Sequence, residues 1–299
     1  MERSGNVTVL TTWREWLSTA LTQPSLKPLL GRDWQRFQQT ATPVVRYRFA
    51  ASRLALKYTA AAVLGTGPAE LDLSYALDGR PYLRGLGTLE VSLSHAEDLI
   101  AVSLCRSGRI GVDTESTTAG VDAEALRGHA CTAPERELLD RLPEGERDAE
   151  LLRLWTLKEA YTKALGQGLR FGFTEFGFAP HAASAGGLLR TPDGTPVDSP
   201  EWTFATWPEL GGRYLVSVAC QNLTPAVPAD LAAASLLAPS VVGALTEELA
   251  RDRSPRGGED LVERRSADRA RVAVSDGPRS HRTRNLGVSC PDVCSPRSP

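Results

Sequence analysis

Two carboxylates stand two positions apart in the segment IGVDTE, residues 110–115. Apolar and polar residues alternate in this segment, which predicts a β-strand, and residues i and i+2 of a strand share one face. Asp113 and Glu115 would therefore lie side by side and repel each other. A hard cation with oxygen ligands would offset this repulsion, and so would a solvated strand end paired with arginines. The spacing alone leaves a metal site and a solvated acidic edge both open.

A second group of charged residues falls on a predicted helix over residues 148–165, which Gly166 ends. Glu159 and Lys163 are four positions apart and share one face of that helix, with Trp155 one turn earlier. Such a pair is either a surface ion pair, which contributes about 0.3–0.5 kcal/mol, or part of a functional site. The helical spacing fits both interpretations.

Two shorter motifs precede these groups. The segment SLSH ends a predicted strand with Ser94 and His95. The segment GRPYL places Arg80 in a turn, directly before a proline. Histidines with structural hydrogen bonds and basic turn residues are both common, so neither motif is specific when taken alone.

In chain order, the motifs GRPY, SLSH, GVDTE and WTLKEAYTKALGQGL resemble the Sfp-type 4′-phosphopantetheinyl transferases, of the subtype with the motif W-x-x-K-E-A. The order and spacing match over residues 46–169, and the likeness of fold extends to about residue 220. The resemblance implies an α+β fold that is an intramolecular pseudo-dimer of two similar halves. Coenzyme A would bind in the cleft between the halves.

The resemblance also assigns roles to the charged residues. Magnesium on the pyrophosphate of coenzyme A would be held by Asp113, Glu115 and Glu159. Glu159, directly or through a bound water, would remove the proton of the attacking serine, and Lys163 would stabilise the leaving phosphate. Coenzyme A would be contacted by Arg46, Arg53, Arg80, Ser94, His95, Lys158 and Lys163. The register of the upstream arginines, which include Arg48, stays open, and the Lys158 side chain would point either to a phosphate or to the other half.

The implied activity is transfer of the 4′-phosphopantetheine group of coenzyme A to a serine of an apo-carrier protein, with release of 3′,5′-ADP. The carrier would be a peptidyl or acyl carrier of polyketide or non-ribosomal peptide synthesis, and a carrier of primary fatty-acid synthesis is the alternative within this class. A non-catalytic coenzyme A-binding regulator and an unrelated magnesium-dependent phosphohydrolase are alternatives from other classes. A silent binding protein has no physical reason to keep a cluster of repelling carboxylates, which favours the enzyme.

The elements that would position these residues follow the order of an α+β fold. Helices are predicted at residues 12–21, 49–64, 123–130, 134–142 and 148–165, and strands at 71–77, 89–93, 99–104, 110–115, 175–178, 187–191, 202–207 and 213–220. We expect an N-terminal half, residues 1–105, on the adenine and 3′-phosphate side of coenzyme A. The C-terminal half, residues 106–225, would carry magnesium and the catalytic helix. In the tail, residues 226–299, the sequence favours a helix over 230–251 and disorder from residue 254 onward.

Composition bears on the remaining function classes. The net charge of the chain is −2. Residues 251–299 are rich in arginine and carry a net charge of +4, so residues 1–250 carry −6. That part of the chain has no basic excess for binding nucleic acid. No apolar run is long enough to span a membrane, and the N-terminus lacks the apolar segment of a signal peptide. Five irregularly spaced cysteines fit a reducing compartment. We therefore expect a cytoplasmic protein that binds neither nucleic acid nor membrane, and we also expect it to be a monomer.

Overall fold

Helices and antiparallel strands are interspersed along the chain, so the fold is α+β, as the sequence predicted. This computed structural model describes residues 5–22, 26–119, 122–167, 171–180, 188–222 and 235–236. The helices are α1 (Trp13–Thr22), α2 (Leu26–Leu30), α3 (Trp34–Gln39), α4 (Pro43–Leu64), α5 (Ala123–Ala130), α6 (Ala133–Arg141) and α7 (Glu144–Leu165). The strands are β1 (Asn6–Thr12), β2 (Leu73–Tyr75), β3 (Pro81–Leu83), β4 (Glu90–Ala96), β5 (Leu99–Cys105), β6 (Gly108–Ser116), β7 (Gly177–Phe178), β8 (Leu189–Arg190), β9 (Trp202–Glu209), β10 (Tyr214–Asn222) and β11 (Ser235–Leu236).

Two sheets share one strand order. The first runs β11-β1-β5-β4 and the second β6-β10-β9. In the first sheet, β1 pairs antiparallel with β5, and β5 pairs antiparallel with β4. In the second sheet, β6 pairs antiparallel with β10, and β10 pairs antiparallel with β9. A two-stranded ribbon, β2–β3 or β7–β8, lies between the helix and the later strands of each segment. Apart from β11, which joins the first sheet from later in the chain, the segment from β1 to β5 and the segment from β6 to β10 therefore repeat the same topology.

The long helices of the two segments also correspond. Both α4 and α7 have 22 residues and end at a glycine in the left-handed region, Gly65 with φ 68° and Gly166 with φ 70°. That conformation favours glycine, which explains why the helices stop where the sequence predicted. Each helix also carries a buried lysine eight positions before its glycine, Lys57 in α4 and Lys158 in α7.

The two sheets pack together through a shared apolar cluster. Ile110 and Val112 of β6 and Val216 and Val218 of β10 contact residues of β5, including Leu99. Burial of these side chains joins the sheets without backbone pairing between them. The cluster therefore brings β4 and β6, which carry the SLSH and DTE motifs, to the same junction.

One prediction for the tail is wrong at the residues that can be checked. Ser235 and Leu236 form β11, which pairs parallel with Val9 and Leu10 of β1, so these two residues are extended rather than helical. The rest of the predicted helix at 230–251, and the predicted disorder from residue 254, lie outside the described residues. Among the described helices, none is long and apolar enough to cross a membrane.

Candidate active site

A cavity of about 410 Å³ opens where β4 and β6 meet α4 and α7. Its walls are formed by Arg53, Tyr75, Gly79, Pro81, Leu93, Ser94, His95, Asp113, Thr114, Glu115, Trp155, Glu159 and Lys163. Most of the residues selected from the sequence are therefore brought together. The exceptions are Arg46, Arg80 and Lys158, which do not line this cavity.

Serine hydroxyls join β4 to the free edge of β6. Ser92 Oγ accepts the backbone N–H of Val112 at 3.0 Å, and Ser94 Oγ accepts that of Thr114 at 3.3 Å. Ser94 Oγ also lies 2.9 Å from Asp113 Oδ1, to which it donates. The SLSH motif thus provides hydrogen-bond acceptors for two backbone N–H groups at the edge of β6, and it orients the carboxylate of Asp113.

A glycine allows α7 to lie directly against β6. A Cβ on Gly111 would stand 1.9 Å from the carbonyl oxygen of Ala160 and 2.5 Å from the backbone nitrogen of Ala164. No side chain fits in that space, so glycine is required by the close approach of the helix. Because Glu159 and Lys163 directly precede these two alanines, the approach carries them to the carboxylates of β6.

Lys163 forms the contact between the helix and the strand. Its Nζ donates to Asp113 Oδ1 at 2.5 Å and lies 3.3 Å from Ser94 Oγ. Burial alone would lower the pKa of Lys163, but the carboxylates of Asp113 and Glu159 outweigh burial and raise it. Lys163 is therefore a cation whose position is fixed by the acidic cluster.

Burial and the neighbouring carboxylates both disfavour the charged forms of Glu115 and Glu159. Burial and the charge of Asp113 raise the pKa of Glu115. Burial raises the pKa of Glu159 to about 7, with smaller contributions from Asp113 and Glu115 against the opposing effect of Lys163. The Oδ2 atom of Asp113 is buried and has no hydrogen-bond partner in the described part of the chain. An unpartnered carboxylate oxygen beside two further carboxylates is a donor set that suits a hard divalent cation.

Within the described ranges, no group of three or more His, Cys, Asp or Glu side chains has the arrangement of a formed metal site. Lys163 pairs with Oδ1 of Asp113 instead, as an internal cation would. The residue types fit a metal, and any ligand geometry would form when the cation binds.

Trp155 orients the second carboxylate of β6. Its indole N–H donates to Glu115 Oε1 at 3.0 Å, and its ring packs on Phe173 at a centroid distance of 5.1 Å. In the sequence, the position of Trp155 one turn before Glu159 is the signal that places it on the same helix face, but that position alone gives the indole no role.

The basic wall of the cavity is formed by Arg53 and His95. Burial lowers the pKa of His95, as do the charges of Arg53, Lys163 and Arg48, so the imidazole is neutral near pH 7. Arg53 hydrogen-bonds to Tyr75, a cavity residue that the sequence analysis did not identify. The cavity thus has an acidic wall on β6 and α7 and a basic wall on α4 and β4.

The other predicted arginines do not line the cavity. Arg80 forms an ion pair with Glu90, although its chain neighbours Gly79 and Pro81 line the cavity. Arg46 stacks on aromatic rings, with its Cζ atom 5.6 Å from the Tyr47 ring centroid.

Lys158 lies outside the cavity, and this corrects the expectation that it binds coenzyme A. Its side chain is fully buried, and Nζ contacts Glu135 Oε2 at 2.6 Å. The same Nζ lies 2.7 Å from the carbonyl oxygens of Ala130 and Phe173 and 2.9 Å from that of Phe176. With these four acceptors around it, the amine is not available to a phosphate. Both alternatives given for Lys158 are therefore wrong, because its side chain points neither to a phosphate nor to the other half but into the C-terminal half to which it belongs.

The comparisons with known proteins agree with the site. Residues 109–219, which include both carboxylates of β6 and all of the functional face of α7, match ACPS, the 4′-phosphopantetheinyl transferase superfamily. The 4′-phosphopantetheinyl transferase HetI of Nostoc sp. is 33% identical over 42% of this chain and 55% of its own length. A putative 4′-phosphopantetheinyl transferase of Synechocystis sp. is 30% identical over 51% of this chain and 63% of its own length.

A more divergent relative, the phosphopantetheinyl transferase of Thraustochytrium sp., is 25% identical over 65% of this chain and 70% of its own length. The chain spans a little more than half of the first two relatives. Residues 109–219 carry the domain of the 4′-phosphopantetheinyl transferase superfamily, so the resemblance predicted from the motifs is confirmed at that level. The W-x-x-K-E-A subtype stays a prediction.

Proposed function

We propose that this protein transfers the 4′-phosphopantetheine group of coenzyme A to a serine of an apo-carrier protein and releases 3′,5′-ADP. The observation that supports this most is a single cavity with three carboxylates, Asp113, Glu115 and Glu159, on one wall and Arg53 and His95 on the other. A substrate with a pyrophosphate and a separate phosphate needs both a cation site and basic residues.

The repeated topology supports a second part of the proposal. We infer that the chain is an intramolecular pseudo-dimer, because the strand orders β1-β5-β4 and β6-β10-β9 correspond and α4 corresponds to α7. The cavity lies where residues of both segments meet. Residues 1–105 would then contribute mainly the basic wall, and residues 106–225 the acidic wall.

In the proposed reaction the hydroxyl oxygen of the carrier serine forms a bond to the β-phosphorus of coenzyme A. The bond from that phosphorus to the bridging oxygen breaks, and 3′,5′-ADP leaves with the negative charge. Glu159 takes the serine proton, and Lys163 lies where it can stabilise the charge of the phosphates. Asp113, Glu115 and Glu159 would hold magnesium, which neutralises charge on the pyrophosphate when bound.

The narrower expectations belong to the same proposal. A carrier of polyketide or non-ribosomal peptide synthesis is favoured by the motif form, composition favours a cytoplasmic protein, and we expect a monomer. The alternative of a coenzyme A-binding regulator makes a different prediction, because it requires binding without transfer.

The test is incubation of the full chain with coenzyme A, magnesium and a panel of apo-carriers, followed by mass spectrometry of each carrier. We expect a phosphopantetheine mass gain on one serine that needs magnesium and is lost on addition of a chelator. Lys163→Ala serves as the negative control. Coenzyme A binding with no mass gain on any carrier would favour the regulator. Comparison of kcat/KM between carriers of fatty-acid and of peptide or polyketide synthesis would decide the carrier class.

A further inference from the structure

Three polar side chains from separate segments form a hydrogen-bonded network at the basic wall of the cavity. Arg53 Nε donates to Tyr75 Oη at 3.0 Å, and Tyr75 Oη donates to Asp33 Oδ2 at 2.6 Å. Arg53 Nε also lies 3.5 Å from Asp33 Oδ2, and the two charged side chains are 10% and 6% exposed. Both charged side chains are therefore largely shielded from water, and the partly buried Tyr75 joins them.

The rest of the guanidinium group is fixed on two further sides. Arg53 Nη1 donates to Ser52 Oγ at 2.8 Å, and the Cζ atom lies 4.0 Å from the centroid of the Phe49 ring. Arg53 Nη2 makes no hydrogen bond within the described part of the chain, while the residue itself lines the cavity. The fixed arginine thus keeps one donor that no described residue uses, and it lines the cavity where a ligand would bind.

The phenol of Tyr75 holds this arrangement at ordinary pH. Burial raises the pKa of Tyr75 to about 12, so the hydroxyl keeps its proton. The protonated hydroxyl of Tyr75 donates its hydrogen to Asp33, so in this network its oxygen accepts from Arg53. The order of donors and acceptors is consequently the same throughout the pH range in which the protein would work.

We propose that Tyr75 and Asp33 are positioning residues that hold Arg53 for recognition of a phosphate monoester at the basic wall. The identity of that phosphate rests on the function proposed above, under which it is the 3′-phosphate of coenzyme A. Asp33 offsets part of the positive charge of Arg53. The network therefore contributes by orienting Arg53 and not by adding positive charge. A guanidinium that is anchored on one edge can bind a phosphate with the N–H groups of its other edge.

The test measures binding of two nucleotides, 3′,5′-ADP and 5′-AMP, by calorimetry with the full chain at constant ionic strength. Tyr75→Phe keeps the ring and removes the hydroxyl, so we expect the preference for 3′,5′-ADP to fall about tenfold through loss of one well-aligned charge-assisted hydrogen bond. Binding of 5′-AMP should be unchanged. The matched control is Tyr58→Phe, also on a buried aromatic, which packs on Trp16 and does not line the cavity.

Variants at Asp33 separate positioning from general damage to the fold. Asp33→Asn keeps an oxygen that can accept from Tyr75 and should keep the nucleotide preference, whereas Asp33→Ala should lose it. Equal behaviour of these two variants would overturn the inference. The inference would also be overturned if Tyr75→Phe lost affinity equally for both nucleotides or kept the wild-type preference for 3′,5′-ADP. It would likewise be overturned if the wild-type protein did not prefer 3′,5′-ADP over 5′-AMP.

Transfer to an apo-carrier is followed by mass spectrometry on the same samples. A wild-type protein that prefers 3′,5′-ADP but transfers nothing would refute the proposed function while the inference stands. Transfer by a Tyr75→Phe protein with an unchanged nucleotide preference would refute the inference alone.

Discussion

Replacement of Gly111 by alanine tests whether close approach of α7 to β6 builds the site. The added Cβ would lie 1.9 Å from the Ala160 carbonyl oxygen and 2.5 Å from the Ala164 nitrogen, both of which are backbone atoms. Gly111 also pairs with Ala219 of β10, so the strand is held from its other side. The clash is therefore relieved mainly by movement of the helix, by about 1 Å or more.

The size of the effect follows from these contacts. Overpacking of this kind destabilises a protein by about 1–3 kcal/mol, and a clash with backbone belongs near the upper value. For a chain of this size, about 3 kcal/mol lowers the Tm by roughly 6–12 °C. A shift of about 1 Å in catalytic groups can reduce turnover by about a hundredfold. Below the Tm the variant should therefore stay folded while its turnover falls about a hundredfold, because Glu159 and Lys163 move with the helix.

The assay is carrier modification by mass spectrometry well below the Tm, together with thermal unfolding by circular dichroism. Gly145→Ala in the same helix is the control, because no atom lies within 4 Å of its added Cβ. That variant should keep wild-type turnover and gain about 0.5–1 kcal/mol in helix stability. Wild-type turnover and Tm in Gly111→Ala would refute the reasoning, since they would mean that the helix does not lie against the strand as described.

The remaining predictions concern single side chains of the acidic wall. Asp113→Ala should abolish both transfer and the rise of Tm on addition of magnesium, measured by differential scanning fluorimetry; a retained rise would exclude Asp113 as a ligand. Trp155→Phe removes the N–H that orients Glu115 and should raise the magnesium concentration needed for half-maximal rate about tenfold, with kcat at saturating magnesium little changed. Lys163→Ala should lower kcat about a hundredfold or more, and it should cost about 1–3 kcal/mol on unfolding in urea, because it removes the cation beside the buried carboxylate of Asp113. Lys158→Met should cost about 3–5 kcal/mol in the same unfolding assay, because it leaves a buried carboxylate unpaired; a small cost would contradict its assignment as a buried structural cation.

The sequence by itself determined which charged residues share a face of a strand or helix, and it determined the class of the fold. Asp113 and Glu115 share a strand face, and Glu159 and Lys163 share a helix face, because both periodicities are local properties of the backbone. The glycines that end α4 and α7 could also be identified, since a left-handed residue is needed where a helix stops. The order of elements then favoured an α+β fold, and the structure agrees.

Only the tertiary structure decided which residue of each group reaches the cavity. Lys158 and Lys163 lie on the same helix, but Gly111 lets one face of α7 approach β6, so Lys163 meets Asp113 while Lys158 is buried among carbonyl oxygens. Such packing involves residues far apart in sequence, which no local pattern reports. Tyr75 and Asp33 illustrate the same limit, because their link to Arg53 joins three segments. The two-residue strand β11 is a further example of this limit. Its extended conformation depends on pairing with the edge of β1, which local strand propensity does not reveal.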